Sequence, residues 1–148
     1  MKFDVNYLLR EKLLARIPAS KEKAEESMKA SYSWLDEAKK NFSNKLFKSS
    51  VLTSYLGIFH AGKAILFLDG FREKSHFAIA RYLESEYTKN GRLEKKWIEL
   101  LDYCRDLRHQ DQYRTSFIVT KEDAKKFIES SENLIKEIEK LFLSKMNG

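Results

Sequence analysis

Residues 46–68, LFKSSVLTSYLGIFHAGKAILFL, constrain the fold more than any other part of the 148-residue chain. At helical spacing, Val51, Tyr55, Ile58 and Ile65 form one stripe and Leu52, Leu56, Phe59 and Leu66 a second, with Phe47 and Leu68 off both. A helix that is apolar around most of its circumference is either buried in a core or spans a membrane. Lys48, His60, Lys63 and several serines interrupt this run and leave no stretch of about 18 apolar residues, so a core helix is expected. Gly57, Ala61, Gly62 and Ala64 would let neighbouring helices approach closely. Asp69-Gly70 ends the segment, with Gly70 suited to the left-handed position just past a helix.

The remaining segments read as helices able to surround this rod. Residues 3–17 carry Val5, Leu8, Leu9, Leu13 and Ile17 on one face, predicting an amphipathic helix that Pro18 stops and that docks on the domain rather than on a membrane surface. Ser20 suits the N-cap of a helix over 21–42, whose inward stripe is Ala24, Met28, Ser31, Leu35, Ala38 and Phe42. Asn41–Asn44 make a tight turn, which predicts an antiparallel hairpin with the central helix. After a loop, FREKS, Ser75 caps a helix over 76–88 that turns Ile79, Tyr82, Leu83 and Tyr87 inward, and Asn90-Gly91 breaks it. A further helix covers 92–110. Thr120, with Asp123 three residues on, opens the last helix, striped by Ala124, Phe127, Ile128, Leu134, Ile135, Ile138, Leu141 and Phe142.

No segment alternates with a period of two, and one proline and five glycines in the chain suit helix. The expected fold is therefore all-α: an up-and-down bundle of five to six helices around a central hydrophobic helix. It would form a single domain over 1–148, with 1–18 as an N-terminal helical arm and 20–142 as the core bundle. The net charge of +6 permits an acidic partner such as RNA without requiring one. The single cysteine, Cys104, rules out an internal disulfide and fits a reducing compartment. With no basic region followed by an apolar core at the N-terminus, a cytoplasmic protein is expected.

Chemistry concentrates in Trp97–Tyr113, WIELLDYCRDLRHQDQY. Projected at about 100° per residue, Trp97, Leu100, Leu101, Cys104 and Leu107 make the buried stripe. Arg108 falls inside it, Arg105 on its edge and His109 beyond. A guanidinium directed with a core face needs a carboxylate, a cleft or a bound anion. Three outcomes are open for Arg108: exposure at a frayed end, a structural ion pair with Asp111 or another helix, or a phosphate-binding cleft. Among the histidines, His60 reads first as a hydrogen-bonded core residue and second as a cleft residue, and His76 as a helix-start residue. The three histidines and one cysteine have no metal-ligand spacing. No cofactor is implied, and Cys104 reads as core rather than nucleophile.

Taken together, these stretches resemble the HEPN domains (higher eukaryotes and prokaryotes nucleotide-binding). SYLGIFHAGKAILFLDG is similar to the family's "AYYAMFHAAKALLLKG" helix, and FREKSHFAIARYLESEY to the following "x-R-x-K-[ST]-H-x-x-x-x-x-x-F" segment. LLDYCRDLRHQDQY resembles "L-x-x-L-R-x-x-x-D-Y", and KEDAKKFIESSENLIKEIE the last helix. The resemblance covers about residues 20–142. It implies a helical bundle, usually a homodimer, with a polar cleft between two copies of the helix carrying an R-x(4–6)-H motif. In active members this motif cleaves RNA without a metal, the arginine and histidine handling the scissile phosphate and the 2′-hydroxyl. Many prokaryotic members pair with a small nucleotidyltransferase as toxin and antitoxin, and in some a tyrosine near the motif is adenylylated.

In this chain Arg108 with four intervening residues reaches Tyr113, and Arg105 with three reaches His109. The Arg108–Tyr113 register matches the branch with a tyrosine, although Gln112 stands where that branch commonly has Asp. A tyrosine of ordinary pKa, near 10, is a poor general base at neutral pH. The expectation is thus an RNA- or nucleotide-binding protein using Arg108, Tyr113, Arg105 and His60, as the toxin-like partner of a nucleotidyltransferase. The alternatives are a metal-independent endoribonuclease with Arg108, His109 and Arg105 as an offset catalytic set, or a catalytically silent interaction scaffold.

Overall fold

The computed structural model describes residues 2–113 and 118–148; within 107–113 it describes the backbone but not the side chains. Helix α1 (Val5–Arg10) leads to a short strand β1 (Leu14–Arg16), then to α2 (Lys21–Ser43) and α3 (Phe47–Asp69). Strand β2 (Phe71–Glu73) follows, then α4 (His76–Leu83) with a π-helical turn over Glu84–Thr88, α5 (Lys95–Tyr113) and α6 (Lys121–Met146). The structure is 76% helical over the described residues, the all-α bundle expected from the sequence.

Helix α3 is the rod around which the rest assembles. The stripe Val51, Tyr55, Ile58, Ile65 is buried throughout, whereas Leu52, Leu56 and Phe59 of the second stripe are half-buried. By length and composition α3 could cross a membrane, with a mean hydropathy of 1.5, but 56% of that window is buried by the protein's own helices. Helix α2 lies antiparallel to it: the Ser20 amide donates to Phe67 O at 3.0 Å near one end, and the Asn41 side chain meets Thr53 at 3.4 Å near the other. Midway, the buried Ser31 hydroxyl donates to Gly57 O at 2.6 Å. This bond satisfies a serine that occupies a core position, and the glycine permits it. A Cβ on Gly57 would stand 3.2 Å from both Ser31 O and Ile135 Cδ1 of α6. Gly62 admits α4 in the same way: its Cβ would lie 2.6 Å from Ile79 Cγ2.

Local signals set most helix ends. Ser20, Ser75 and Thr120 each accept a hydrogen bond from the backbone N–H three residues on, and Thr120 with Asp123 forms a reciprocal capping box. Gly70 ends α3 at φ +83°, a conformation that penalises any Cβ. Every residue of the predicted α6 stripe is buried, as are Ile79, Tyr82, Leu83 and Tyr87.

Two expectations are corrected. The N-terminal helix over 3–17 stops at Arg10, and Lys12 takes a positive φ of 60°. The chain then extends and pairs antiparallel with the FREKS segment, Leu14 opposite Glu73, Ala15 opposite Arg72 and Arg16 opposite Phe71. Pairing satisfies backbone groups of both segments, and three-residue strands are too short to show a period of two. On α5, Ile98 is buried with Leu101 and Cys104, while Trp97 and Leu100 are half-buried. The buried stripe is thus rotated from the expected one towards Ile98.

The end of α3 is clasped by its last residue. Asp69 Oδ2 accepts hydrogen bonds from the hydroxyls of Tyr82, at 2.6 Å, and Tyr87. Its Oδ1 meets Lys145 Nζ of α6 at 2.6 Å. Burial and the Asp69 hydrogen bond both push the two phenols up, so they remain protonated donors. One carboxylate thus ties together α3, α4, the π turn and α6.

Asp69→Ala should lower unfolding stability by about 2–4 kcal/mol, since it leaves two enclosed hydroxyls and an ammonium without their acceptor; urea denaturation checks this. Gly62→Val should cost about 1–3 kcal/mol by overpacking against Ile79, read as a lower thermal midpoint.

Candidate functional site

The half-buried face shared by α4 and α5 gathers two arginines and three carboxylates. Phe77 and Arg81 are four residues apart on α4 and therefore share a face. Arg81 Nη2 pairs with Asp102 Oδ2 of α5 at 2.6 Å, and its Nε stands 3.4 Å from Glu84 Oε1. Arg105, seven residues after Ile98 and four after Leu101, continues the buried stripe of α5. Its guanidinium sits 5.5 Å from the Phe77 ring centre and that of Arg81 5.2 Å, so one aromatic ring supports two arginines. Arg105 is within 3.9 Å of Asp106, a loose contact between neighbours. Asp102 Oδ1 and Arg105 Nε are both enclosed and have no hydrogen-bond partner among the described residues.

Of the residues predicted from sequence, Arg105 is on this face. Arg108, His109 and Tyr113 fall on the last turns of α5, and their side chains lie outside the described residues. Cys104 is buried, and burial pushes its thiol up, which keeps it protonated and unreactive. His76 opens α4 as expected. It stacks on Phe59 with ring centres 4.1 Å apart, and its Nδ1 pairs with the Tyr55 hydroxyl. The Phe77 ring packs edge-on against Phe3, with ring centres 5.5 Å apart.

His60 is not a hydrogen-bonded core residue. It is half-buried and opens into a cleft of about 510 Å³ between α2, α3 and β2. Among the described residues, none that lines that cleft belongs to α5, so Arg105 is not part of it. Burial and then the charge of Lys63 hold the His60 pKa below its ordinary 6.5. At neutral pH the imidazole is therefore uncharged.

The sequence reading missed Arg81, Asp102 and Phe77 on one face and Lys63 in the cleft. The spacing signal was present: Phe77 with Arg81 at i,i+4, Asp102 with Arg105 at i,i+3, and His60 with Lys63 and Phe67 at i,i+3,i+7. Among the described residues no group of three His, Cys, Asp or Glu side chains could hold a metal ion.

The chain is 29% identical over 140 residues to "Putative toxin MJ0605" of Methanocaldococcus jannaschii, covering 95% of this chain and 96% of that protein. It is 26% identical over 105 residues to "UPF0332 protein PH1297" of Pyrococcus horikoshii, covering 71% of each. The HEPN domain matches residues 18–141, nearly the whole bundle from the approach to α2 to the last turns of α6, and the chain belongs to the HEPN domain family.

Proposed function

We propose that this toxin-like HEPN protein binds RNA or a nucleotide through the α4–α5 face, with Arg105, Arg108 and Tyr113 as the contacting residues and Arg81 and Asp102 positioning Arg105 and Phe77. The observation that carries the proposal is the pair of arginines on Phe77, with Arg105 making, among the described residues, only a loose 3.9 Å ion contact with Asp106. A guanidinium held against a ring keeps its in-plane donors for a phosphate oxygen, and its planar fork suits that acceptor. Arg81 has its charge engaged by Asp102 and Glu84, so it acts as a strut.

The site works as a cleft between two copies. Trp97, Leu100 and Tyr103 recur every three residues on α5. The first two are half-buried and Tyr103 is 55% exposed. An apolar strip of this kind beside a charged face is suited to self-association, which would bring two sets of arginines together. Resemblance to the named toxin supports a protein partner that restrains it, and in this reading that partner is a small nucleotidyltransferase. Binding, rather than cleavage, is the primary activity, because Arg108 reaches Tyr113 across the motif spacing.

Arg105→Ala should weaken single-stranded RNA binding about tenfold, or about 1.4 kcal/mol. It should also reduce the magnitude of the slope of log K against log salt by about one, as expected for the loss of one phosphate contact. Gel-shift titration at several salt concentrations measures both, and an unchanged slope would remove Arg105 from the interface. Separately, Tyr103→Glu should convert the homodimer to monomer in light scattering; a wild-type protein that is already monomeric contradicts the two-copy cleft.

A further inference from the structure

The His60 cleft is built from three elements. Helix α2 supplies Lys23, Glu26, Ser27 and Ala30, α3 supplies His60, Lys63 and Phe67, and β2 supplies Arg72, with Ile17 closing the end. Three cations face one carboxylate, Glu26. We propose that this cleft is a second anion site, separate from the α5 face, that binds a phosphate group of a nucleotide or of an RNA chain between Lys23, Lys63, Arg72 and His60.

The groups differ in how they are held. Lys63 Nζ lies 5.6 Å from the ring centres of both Phe59 and Phe67 and 3.6 Å from Glu73 Oε1, so its ammonium is positioned before any ligand arrives. Lys23 and Arg72 are exposed and make no ion pair among the described residues, which leaves their charge for an incoming anion. His60 is neutral at pH 7 and presents one N–H donor and one acceptor. Phe67, Ile17 and Ala30 form an apolar wall on which a base or ribose can pack. The cleft volume lies within the range of about 300–1,000 Å³ usual for small-molecule sites. Burial and Lys63 set the His60 titration in the free protein, and Lys23 and Glu26 from α2 and Arg72 from β2 are the other charged groups lining the cleft, with Glu73 of β2 paired to Lys63. A bound phosphate adds negative charge to this set, which favours the imidazolium and raises the His60 pKa.

The test uses the full chain in two arms: AMP and ATP by calorimetry, and a single-stranded RNA decamer by fluorescence anisotropy. Wild type is compared with the Lys23→Gln/Arg72→Gln double variant and with Arg105→Ala; because Lys23 and Arg72 are exposed, the double variant should retain the fold, checked by circular dichroism. The double variant is expected to weaken binding tenfold or more. A loss in the nucleotide arm assigns a free nucleotide, a loss in the RNA arm a phosphodiester. In the nucleotide arm Arg105→Ala leaves the affinity of the cleft unchanged, because the two sites are separate, and in the RNA arm, where one chain can touch both, combining the variants multiplies their defects. In parallel, the His60 ring resonance of the wild type should titrate at higher pH when the ligand is saturating. Unchanged affinity of the double variant in both arms, no wild-type binding in either, or a His60 titration unmoved by ligand would each overturn the proposal.

Discussion

The fold follows from the need to cover α3. A helix with apolar residues on most sides has no solvent face of any width, so its neighbours must approach from several directions at once. Small residues set how close they come. Ser31 and Gly57 seat α2, Gly57 with Ile135 seats α6, and Gly62 with Ile79 seats α4. Asp69 then fixes the far end by accepting two tyrosine hydroxyls and one ammonium from elements distant in sequence. The side not fully covered, at Phe59, His60 and Lys63, is where polar residues enter the rod.

The same arrangement places the chemistry. Because α4 is drawn against Gly62, Phe77 and Arg81 one turn apart are presented to α5, and Arg81 reaches Asp102. That ion pair is half-buried and tightly spaced, so it serves geometry more than stability. It holds Arg81 against the Phe77 ring that Arg105 also approaches, and among the described residues Arg105 is the cation with the loosest ion pairing on that face. Both candidate ligand surfaces combine cations with aromatic rings, the combination that recognises nucleotides by phosphate charge and by stacking. The two surfaces differ in their histidines. His60 is kept neutral by burial and Lys63, whereas His76 is stacked and tied to Tyr55.

Where a sequence signal was local and repeated, it predicted the structure. The caps at Ser20, Ser75 and Thr120, the glycine at 70 and the α6 stripe are each set by a few neighbouring residues, so they were legible. The β1–β2 pair was not, because it depends on a contact between segments nearly sixty positions apart and on only three residues in each. Trp97 drew the expected α5 stripe towards itself by its size, yet tertiary packing chose Ile98 for the core and left the indole at the rim. For His60 the sequence left two readings, core and cleft, and ranked the core first for a related reason. Its neighbours Phe59 and Ala61 made it look enclosed, while the opening beside it is made by Lys23 and Arg72, which no local pattern connects. Arg108, His109 and Tyr113 carry the family motif, but their side chains lie outside the described residues, so Arg105 carries the structural argument.

The most direct test of a nucleic-acid-binding face on α5 is photo-crosslinking of the full-length protein to a 4-thiouridine-substituted RNA, with adducts mapped by mass spectrometry. The account predicts adducts concentrated on peptides that span residues 103–113, with Phe77 as a secondary position. Adducts confined to the α2–α6 side of the bundle, or none above a scrambled-charge control protein, would contradict it.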